Sequence, residues 1–383
     1  PATANPPLIS NTFSSPATCK ALTIREGGSL TLAADAALTV YGDITNYAGA
    51  AGLVTENGAS LITMGAVNGQ ATIKQNISGS RWHLISPPVT GAQAGTFYQQ
   101  YLQQHNEATN AYSYITDINE ALNPVQGYAF WGVGPVFTAQ YSGYPNTGDQ
   151  SLPLYRTAEG NSNGWNLVGN PYPSYLDWET LKAYGAVYYW NGTGYDAYNG
   201  GNGKGSRYVA PMQGFFIVKD DKVTATSFDV SEDNRVNIAS GTFYKSAKAI
   251  NSNTLVLQTL GESYSDKLYI GINPGTTEGF DLQNDAYKLL AYTDGVSELY
   301  SYTGDKKLSI DVRPAAQVIQ LGFTNTRSGE YQLGLQDIAD IPVAMLEDTK
   351  TSTFHDLQAG AYSFSYTAGE SDKRFLLHLG VSA

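Results

Sequence analysis

The sequence has little of the chemistry on which many enzymes and metalloproteins depend. Cys19 is its single cysteine, so neither an intrachain disulfide nor a thiolate metal cluster can form. There is no HExxH zinc motif and no GxxxxGK[ST] phosphate-binding loop. The histidines stand alone in the sequence, at His83, His105, His355 and His378. The sequence therefore predicts a protein that is not an enzyme, with no catalytic residues, no metal site and no cofactor.

Positive charge is also scarce. The chain has 22 Lys and Arg against 34 Asp and Glu, which gives a net charge of -12. An acidic chain with few cations cannot neutralise many phosphates, so no nucleic-acid partner is expected. No apolar run approaches the roughly 18–20 residues that a membrane-spanning helix needs, so no membrane-spanning segment is predicted.

Glycine and aromatic residues are abundant by contrast. The 383 residues include 40 Gly and 28 Tyr, and 42% of the chain is hydrophobic. This apolar content excludes intrinsic disorder for the bulk of the chain. A composition poor in Lys and Glu and rich in Gly, Thr and Tyr predicts an all-β protein with many turns.

Residues 1–78 are predicted to form an N-terminal tail and a short β-solenoid or β-roll. Short apolar pairs recur about eight residues apart, at Leu22/Ile24, Leu30/Leu32 and Leu38/Val40. The phrase Gly27-Gly28-Ser29-Leu30 returns in similar form at residues 58–61. An ordinary β-meander is the open alternative. The Pro-, Ser- and Thr-rich start favours a mature exported chain whose signal peptide has been removed, although a trimmed chain would look the same.

Residues 79–240 are predicted to contain an internal duplication. The Trp-x-Leu motif at Trp82 recurs at Trp165, and the Gln-Gly-aromatic motif at Gln126 recurs at Gln213 with similar spacing. Each motif has the pattern of a strand, the first ended by a proline-containing turn. We expect two related β subdomains, with Trp82, Trp131 and Trp165 in their cores.

Residues 241–383 are predicted to form a β-sandwich. Short alternating segments are separated by turn residues throughout this region. The candidate strands are Thr254 to Gln258, Lys267 to Ile272, Leu308 to Val312, Val318 to Phe323, Glu330 to Leu335, Ala361 to Tyr366 and Arg374 to Leu379. The only segment with any helical pattern is Asp285 to Leu290.

Several motifs resemble those of large exported surface proteins of Bacteroidetes. They lie at residues 165–174 with Asp177 and Trp178, and at residues 211–217, 279–288, 360–364 and 374–378. Such proteins are described as adhesins or surface proteins, mostly of unknown function, and many carry a further sorting domain for type IX secretion. The resemblance implies an extracellular or outer-surface location, and it brings no set of catalytic residues.

The most suggestive cluster for ligand binding is aromatic. Rings stand on both sides of a tight glycine turn, and the candidate ligand-binding residues are Trp190, Tyr195, Asp196, Tyr198 and Tyr208. Aromatic faces stack on sugar rings, while Asn and Asp supply hydrogen bonds. The alternative is that Trp190 fills the core and the tyrosines shield a hairpin.

Two groups of oxygen-bearing side chains raise the alternative of calcium, which is not predicted. They are Asp229, Glu232, Asp233 and Asn234, and Asp281, Asn284 and Asp285. Neither has the spacing of an EF-hand loop. A solvated turn explains the first group, and a cap on the segment that follows explains the second.

These observations predict a non-catalytic, exported cell-surface protein. It is expected to be an adhesin that binds a surface glycan or an extracellular protein through the loops of β-sandwich domains. Two other functions stay open. The chain could be a structural spacer that displays another domain, or a hydrolase acting on polysaccharide, which would need two carboxylates about 5–10 Å apart.

Overall fold

A computed structural model describes residues 7–10, 16–157, 164–238, 253–261, 264–314, 318–338 and 344–380. The regular structure of these residues is β-strand with a few 3-10 helices of three or four residues, which confirms the all-β class. The chain forms two compact units. Unit 1 comprises Pro1–Tyr184 and Arg207–Lys245, and unit 2 comprises Gly185–Ser206 and Ser246–Ala383. The three-domain division stays a prediction, and its boundary at residues 240 and 241 lies outside the described residues.

The N-terminal part of unit 1 is built from very short strands. They are β1 (Leu8–Ile9), β2 (Ala17–Cys19), β3 (Leu22–Ile24), β4 (Leu30–Leu32), β5 (Ala37–Val40), β6 (Ile44–Asn46), β7 (Leu53–Thr55), β8 (Ser60–Thr63), β9 (Val67–Asn68) and β10 (Ala71–Ser78), with the 3-10 helix η1 (Ala50–Gly52) before β7. Each strand up to β7 pairs in parallel with the third strand after it.

This pairing makes three parallel sheets that stack coil on coil, which is the arrangement of a short β-solenoid. A meander would pair successive strands antiparallel, so that alternative is wrong. Leu30 pairs with Leu53, whereas Leu61 pairs with Leu38 in another sheet. The repeated Gly-to-Leu phrase therefore does not mark equivalent positions. Most inward side chains are buried, because a strand of three residues can bury its face only against the coils above and below it.

The described residues in the middle of the chain supply sixteen further strands. They are β11 (Trp82–Ile85), β12 (Val89–Thr90), β13 (Tyr101–Asn106), β14 (Ala111–Tyr114), β15 (Tyr128–Trp131), β16 (Val136–Pro145), β17 (Gln150–Pro153), β18 (Trp165–Gly169), β19 (Tyr175–Asp177), β20 (Val187–Trp190), β21 (Tyr195–Asn199), β22 (Asn202–Gly203), β23 (Tyr208–Val209), β24 (Gly214–Val218), β25 (Ser227–Val230) and β26 (Arg235–Val236). The 3-10 helices here are η2 (Ala94–Phe97), η3 (Trp178–Thr180), η4 (Lys182–Tyr184) and η5 (Glu232–Asn234).

The two Trp-x-Leu motifs pair with their Gln-Gly-aromatic motifs in the same register. Trp82 in β11 lies opposite Trp131 in β15, and Trp165 in β18 lies opposite Val218 in β24. In both cases the residue opposite the tryptophan is the fifth after the glutamine. The two motif pairs therefore have the same local structure within unit 1.

The two motif pairs also contact each other reciprocally. Single bridges join Ile85 to Gln213 and Gln126 to Val168. The glycine after each glutamine lies against the other pair's backbone, and a Cβ on Gly214 would stand 2.8 Å from the backbone nitrogen of Ile85. Only glycine permits an approach this close.

Unit 2 contains the C-terminal strands. They are β27 (Thr254–Leu260), β28 (Lys267–Ile272), β29 (Ala286–Tyr287), β30 (Glu298–Thr303), β31 (Lys306–Arg313), β32 (Val318–Thr324), β33 (Gly329–Ile338), β34 (Ala344–Asp348), β35 (Thr353–Asp356), β36 (Tyr362–Tyr366) and β37 (Phe375–Leu379). They join in the order β35-β34-β37-β32-β30-β31-β28-β27-β33-β36, with β29 beside β31.

This sheet encloses an apolar core, as the alternating pattern of its strands requires. Leu257, Leu299, Phe323, Leu346 and Phe375 are among its fully buried residues. All seven candidate strands are present, within one or two residues of their expected bounds or longer, and the architecture is consistent with the predicted β-sandwich. The helical pattern of residues 285–290 was misleading, because Ala286–Tyr287 is a short strand that pairs with β31.

Candidate functional site

Strands β20 and β21 form the hairpin that carries most of the predicted ligand-binding residues. Trp190 lies opposite Tyr195 at the end of the hairpin, with 5.0 Å between the ring centroids. The side chain of Asn191 folds back over the turn and accepts hydrogen bonds from the backbone nitrogens of Thr193 and Gly194, at 3.0 and 2.9 Å. This Asx-type turn fixes the two rings side by side, and both are partly exposed.

The same hairpin holds Asp196 and Tyr198 in structural contacts. The carboxylate of Asp196 accepts a hydrogen bond of 2.9 Å from Asn191 and pairs with Lys204 at 3.3 Å. Burial raises the pKa of this carboxyl despite the nearby Lys204. Tyr198 is only 6% exposed. The structure thus brings Trp190, Tyr195 and Asp196 together, and it leaves little of the Tyr198 ring for a ligand.

Tyr208 belongs to unit 1 and not to this hairpin. It lies in β23 opposite Asp177 of β19. The guanidinium of Arg207 stands 5.3 Å from the centre of its ring and forms two hydrogen bonds of 2.7 Å with the Asp177 carboxylate. Tyr208 therefore packs beside a bidentate ion pair.

A larger exposed aromatic surface lies on the sheet β11-β15-β13-β14 of unit 1. Trp82, Trp131 and Tyr101 are cross-strand neighbours in one row, so they share a face of the sheet. Tyr114 lies opposite Gln103, two residues along from Tyr101 and hence on the same face. We call Trp82, Trp131, Tyr101 and Tyr114 the aromatic face. Each of four adjacent strands contributes one ring to it.

The rings of the aromatic face contact one another and solvent. Trp82 and Trp131 stand 5.6 Å apart edge to face, and Tyr101 and Tyr114 stand 6.1 Å apart. Tyr101 is 52% and Tyr114 59% exposed, and both tryptophans are partly exposed. The prediction that all three strand tryptophans lie in the core is therefore correct for Trp165 and wrong for Trp82 and Trp131.

The opposite face of this sheet anchors it to the core of unit 1. Leu102 and Phe130 alternate with the exposed residues and are almost fully buried. Phe97 packs on Phe130 with 5.1 Å between the ring centroids. The sequence reasoning missed Tyr101 and Tyr114. The alternation of Tyr112, Ser113 and Tyr114 was a usable signal, but only the register shows that Tyr114 joins the two tryptophans.

A cleft of about 370 Å³ lies farther along the same sheet. His105 is on the same face of β13 as Tyr101, and it lines this cleft together with Asn106, Tyr155 and Asn166. Tyr155 is 61% exposed. The cleft therefore adds amide, imidazole and phenol groups to the side of unit 1 that carries the aromatic face.

The two groups of candidate calcium ligands are engaged within the protein. Residues 232–234 form η5, capped by Ser231, and Glu232 accepts a hydrogen bond from the Gly148 backbone nitrogen and pairs with Arg235. Among the described residues, no cluster of three or more His, Cys, Asp or Glu side chains is arranged to hold a metal ion.

In the second group, Asp285 is the deeply buried member. Its carboxylate accepts hydrogen bonds of 2.7 Å from the backbone nitrogens of Val312 and Asp281. Desolvation outweighs these bonds and, with the neighbouring carboxylates of Asp311 and Asp281, raises the pKa of Asp285 to about 7. The predicted helix cap is wrong, because Asp285 instead ties its own loop to β31.

We expect this carboxyl to make unit 2 less stable as the pH rises. The folded-state pKa lies above the unfolded value of about 3.9, so the folded state binds the proton more tightly. The contribution is complete below about pH 4 and is lost as the pH rises through about 7, at roughly 1.4 kcal/mol per pKa unit. Urea unfolding at about pH 5 and about pH 7 should therefore differ by about 2 kcal/mol.

The variant Asp285→Asn should remove most of this pH dependence. Asp305→Asn, which changes a carboxyl in the turn between β30 and β31, is the matched control and should keep it. An equal pH dependence in wild type and Asp285→Asn would contradict the assignment.

None of the helices in the described residues is both long and apolar enough to span a membrane. The strands and the aromatic face together define an all-β protein with an exposed aromatic surface. A family model described as a domain of unknown function (DUF8693) matches residues 1–193 and again residues 180–379. The chain therefore belongs to the DUF8693 family.

The chain is also similar to a minor fimbrium subunit, Mfa5, of Porphyromonas gingivalis. The two are 27% identical over an alignment of 269 residues, and the match covers 60% of this chain and 22% of that protein. The chain thus spans about a fifth of the relative's length. This similarity supports a surface protein of Bacteroidetes, in agreement with the resemblance of the sequence motifs. No solved structure matches the chain.

Proposed function

We propose that this protein is a non-catalytic, exported surface protein that binds an extracellular glycan through the aromatic face. The observation that carries the proposal is the row of exposed rings Trp82, Trp131, Tyr101 and Tyr114 on four adjacent strands. The similarity to a fimbrium subunit supports a role at the cell surface. The sequence predicted binding through the loops of β-sandwich domains, whereas the site proposed here is the face of a sheet.

The geometry suits an extended saccharide. Neighbouring strands lie about 4.8 Å apart, so four strands carry the rings over roughly 14 Å. Tyrosine and tryptophan offer large, rigid contact areas and lose little conformational entropy on binding. The sheet beneath them is fixed by its buried face, so the rings are held in place before a ligand arrives.

The chemistry of this surface favours a neutral ligand. The four rings and Gln103 carry no formal charge, and the chain as a whole is acidic. An anionic partner would find no cation among these five side chains. Sugar rings present C–H faces to aromatic rings, while the hydroxyls of Tyr101 and Tyr114 and the amide of Gln103 supply hydrogen bonds.

The predicted hairpin site remains a second candidate contact, in unit 2. Its exposed part is the Trp190–Tyr195 pair. We assign Asp196, Tyr198 and Tyr208 to the scaffold, because Asp196 is ion-paired, Tyr198 is buried and Tyr208 packs against Arg207.

Binding should be measured on a glycan array and then in solution with the saccharide that the array identifies. We expect the double variant Tyr101→Ala/Trp131→Ala to weaken binding more than about tenfold, since truncating a central aromatic contact commonly costs 2 kcal/mol or more. The matched control is Tyr41→Ala/Tyr47→Ala, which removes two rings that are 63% and 65% exposed elsewhere in unit 1.

Other outcomes would redirect the assignment. Full binding by the double variant, with loss in Trp190→Ala/Tyr195→Ala, would place the site in the hairpin. Binding to matrix proteins but to no glycan would make the partner a protein. No binding at all with an elongated shape in solution scattering would indicate a spacer, and release of reducing ends from polysaccharide would indicate a hydrolase.

A further inference from the structure

Unit 2 buries a lysine between two carboxylates. The Nζ of Lys288 lies 2.5 Å from Oδ2 of Asp266 and 2.9 Å from Oε2 of Glu298. The three side chains are 3%, 4% and 7% exposed. They lie far from the aromatic face in sequence, and the binding function proposed above does not use them.

Backbone contacts hold the two carboxylates of this triad in place. Asp266 immediately precedes β28, Lys288 follows β29, and Glu298 opens β30. The backbone nitrogen of Leu299 donates to Asp266 Oδ2 at 2.7 Å, and that of Ala291 donates to Glu298 Oε1 at 2.7 Å.

These groups are buried beside apolar residues. Leu268 and Leu299 adjoin the triad in sequence and are completely buried members of the unit 2 core. Thr259, whose hydroxyl accepts a hydrogen bond from the Asp266 backbone nitrogen, is 1% exposed. An amine and a carboxyl group are therefore held at contact distance in a site shielded from solvent.

A simple ion pair explains this arrangement poorly. Removing an ammonium and two carboxylates from water is costly, and well-packed apolar residues often give equal or greater stability. The triad also has one more carboxylate than ammonium, so the charges do not balance.

We propose that Lys288 and Asp266 become joined by an intramolecular isopeptide bond, with Glu298 as the catalytic proton carrier. The Nζ of Lys288 bonds to Cγ of Asp266, and the bond from Cγ to one carboxyl oxygen breaks. One molecule of water leaves. No oxidant, reductant or cofactor is needed, because condensation of an amine with a carboxylic acid changes no oxidation state.

The neighbouring groups supply each proton transfer. The ammonium passes one proton to a carboxylate, which converts an ion pair into neutral partners, a form that dry surroundings favour. Neutral Nζ then attacks Cγ of the protonated Asp266. Glu298 takes the second proton from the nitrogen and delivers it to the departing hydroxyl. The Leu299 N–H stabilises the oxygen that becomes negative during attack.

The starting state holds the amine of Lys288 in its protonated form. Burial favours the neutral amine, but the two carboxylates outweigh it and hold the pKa of Lys288 above its usual value. The reaction therefore begins with proton transfer inside the triad. Once the amide forms, one buried cation and one buried anion are gone. The product therefore has a smaller desolvation penalty than the reactants.

The isopeptide bond would supply a covalent cross-link in a chain that cannot form an intrachain disulfide. Asp266 and Lys288 are 22 positions apart in sequence. Closing a loop of this size restricts the unfolded chain, as a disulfide does. With Cys19 as its single cysteine, the chain has no disulfide of its own. A covalent tie between the start of β28 and the end of β29 suits a protein exposed to proteases and pulling forces.

The test is the intact mass of the purified full chain under denaturing conditions. We expect the wild type to weigh one water molecule less than its sequence. Lys288→Arg keeps the positive charge but lacks a reactive amine, and it should show its full sequence mass. Glu298→Gln keeps the size and removes the proton carrier, and it should also show its full mass. A wild type at full sequence mass would overturn the proposal.

Peptide mapping locates the lost water and does not depend on the variants folding. We expect a branched peptide joining the segments that contain Asp266 and Lys288, with no tryptic cleavage after Lys288. Lys307→Ala, which removes a partly exposed lysine paired with Asp372, is the control and should retain the loss. Water lost instead by ring closure at Asp294-Gly295 would refute the cross-link.

Discussion

Replacing Arg374 by alanine is expected to destabilise unit 2 by about 3–5 kcal/mol, because it leaves a buried carboxylate without its cation. Arg374 binds Asp348 through two hydrogen bonds, at 2.8 and 2.6 Å. Asp348 is completely buried, and Arg374 is 7% exposed. Urea unfolding followed by circular dichroism would measure the loss.

Low pH should reduce the stability that the Asp348–Arg374 ion pair contributes. Burial alone would raise the pKa of Asp348, but hydrogen bonds from Arg374 and Tyr362 outweigh it and hold the pKa below its usual value. A lowered folded-state pKa gives stability that is present above the unfolded pKa of about 3.9 and is lost as the pH falls through the folded value. The Arg374→Ala variant should lack this acid-sensitive contribution.

The matched control is Arg327→Ala. Arg327 forms an equally short ion pair with Asp294, but both side chains are well exposed, at 65% and 69%. Water and salt screen such a pair, so its loss should change the unfolding midpoint little. Similar effects of the two substitutions would show that burial is not what makes the Arg374 pair important.

Replacing Trp178 by alanine is expected to destabilise unit 1 by about 3–5 kcal/mol, since it empties a large space in a closely packed core. Trp178 is 1% exposed. Its ring lies 5.5 Å from Phe215 edge to face and 6.3 Å from Phe228 in a stacked arrangement. Circular dichroism during urea unfolding is the suitable measurement, because the substitution removes a fluorophore.

Two further variants define the cause of that loss. Trp178→Phe retains an aromatic ring and should lose less than the alanine variant. Tyr155→Ala removes a ring that is 61% exposed and should change stability only slightly. A loss in Tyr155→Ala as large as that in Trp178→Ala would contradict the dependence on burial.

The two proposals concern different units and different needs of a surface protein. The aromatic face in unit 1 would supply contact with a ligand, and the Lys288–Asp266 bond in unit 2 would supply resistance to unfolding. Binding and intact mass are independent measurements. Either proposal can therefore fail while the other stands.

The sequence by itself determined the elements and the fold class. Strand patterns depend on which side chains alternate and on where Gly, Asn and Asp permit turns, and both are local properties. Segments such as Lys267–Ile272 were therefore predicted with their observed bounds. Local capping is another such property, and the Asp177 carboxylate accepts a hydrogen bond from the Glu179 backbone nitrogen at the first turn of η3.

The tertiary structure alone decided what those strands expose and bring together. Trp82 and Trp165 occupy equivalent motifs, yet only Trp165 is buried. The register of three strand pairs places Tyr114 on the same face of the sheet as Trp82 and Trp131. Asp266 and Lys288 meet because separate strands close on one core. Exposure and distant contacts depend on how sheets pack, and local patterns carry no information about that packing.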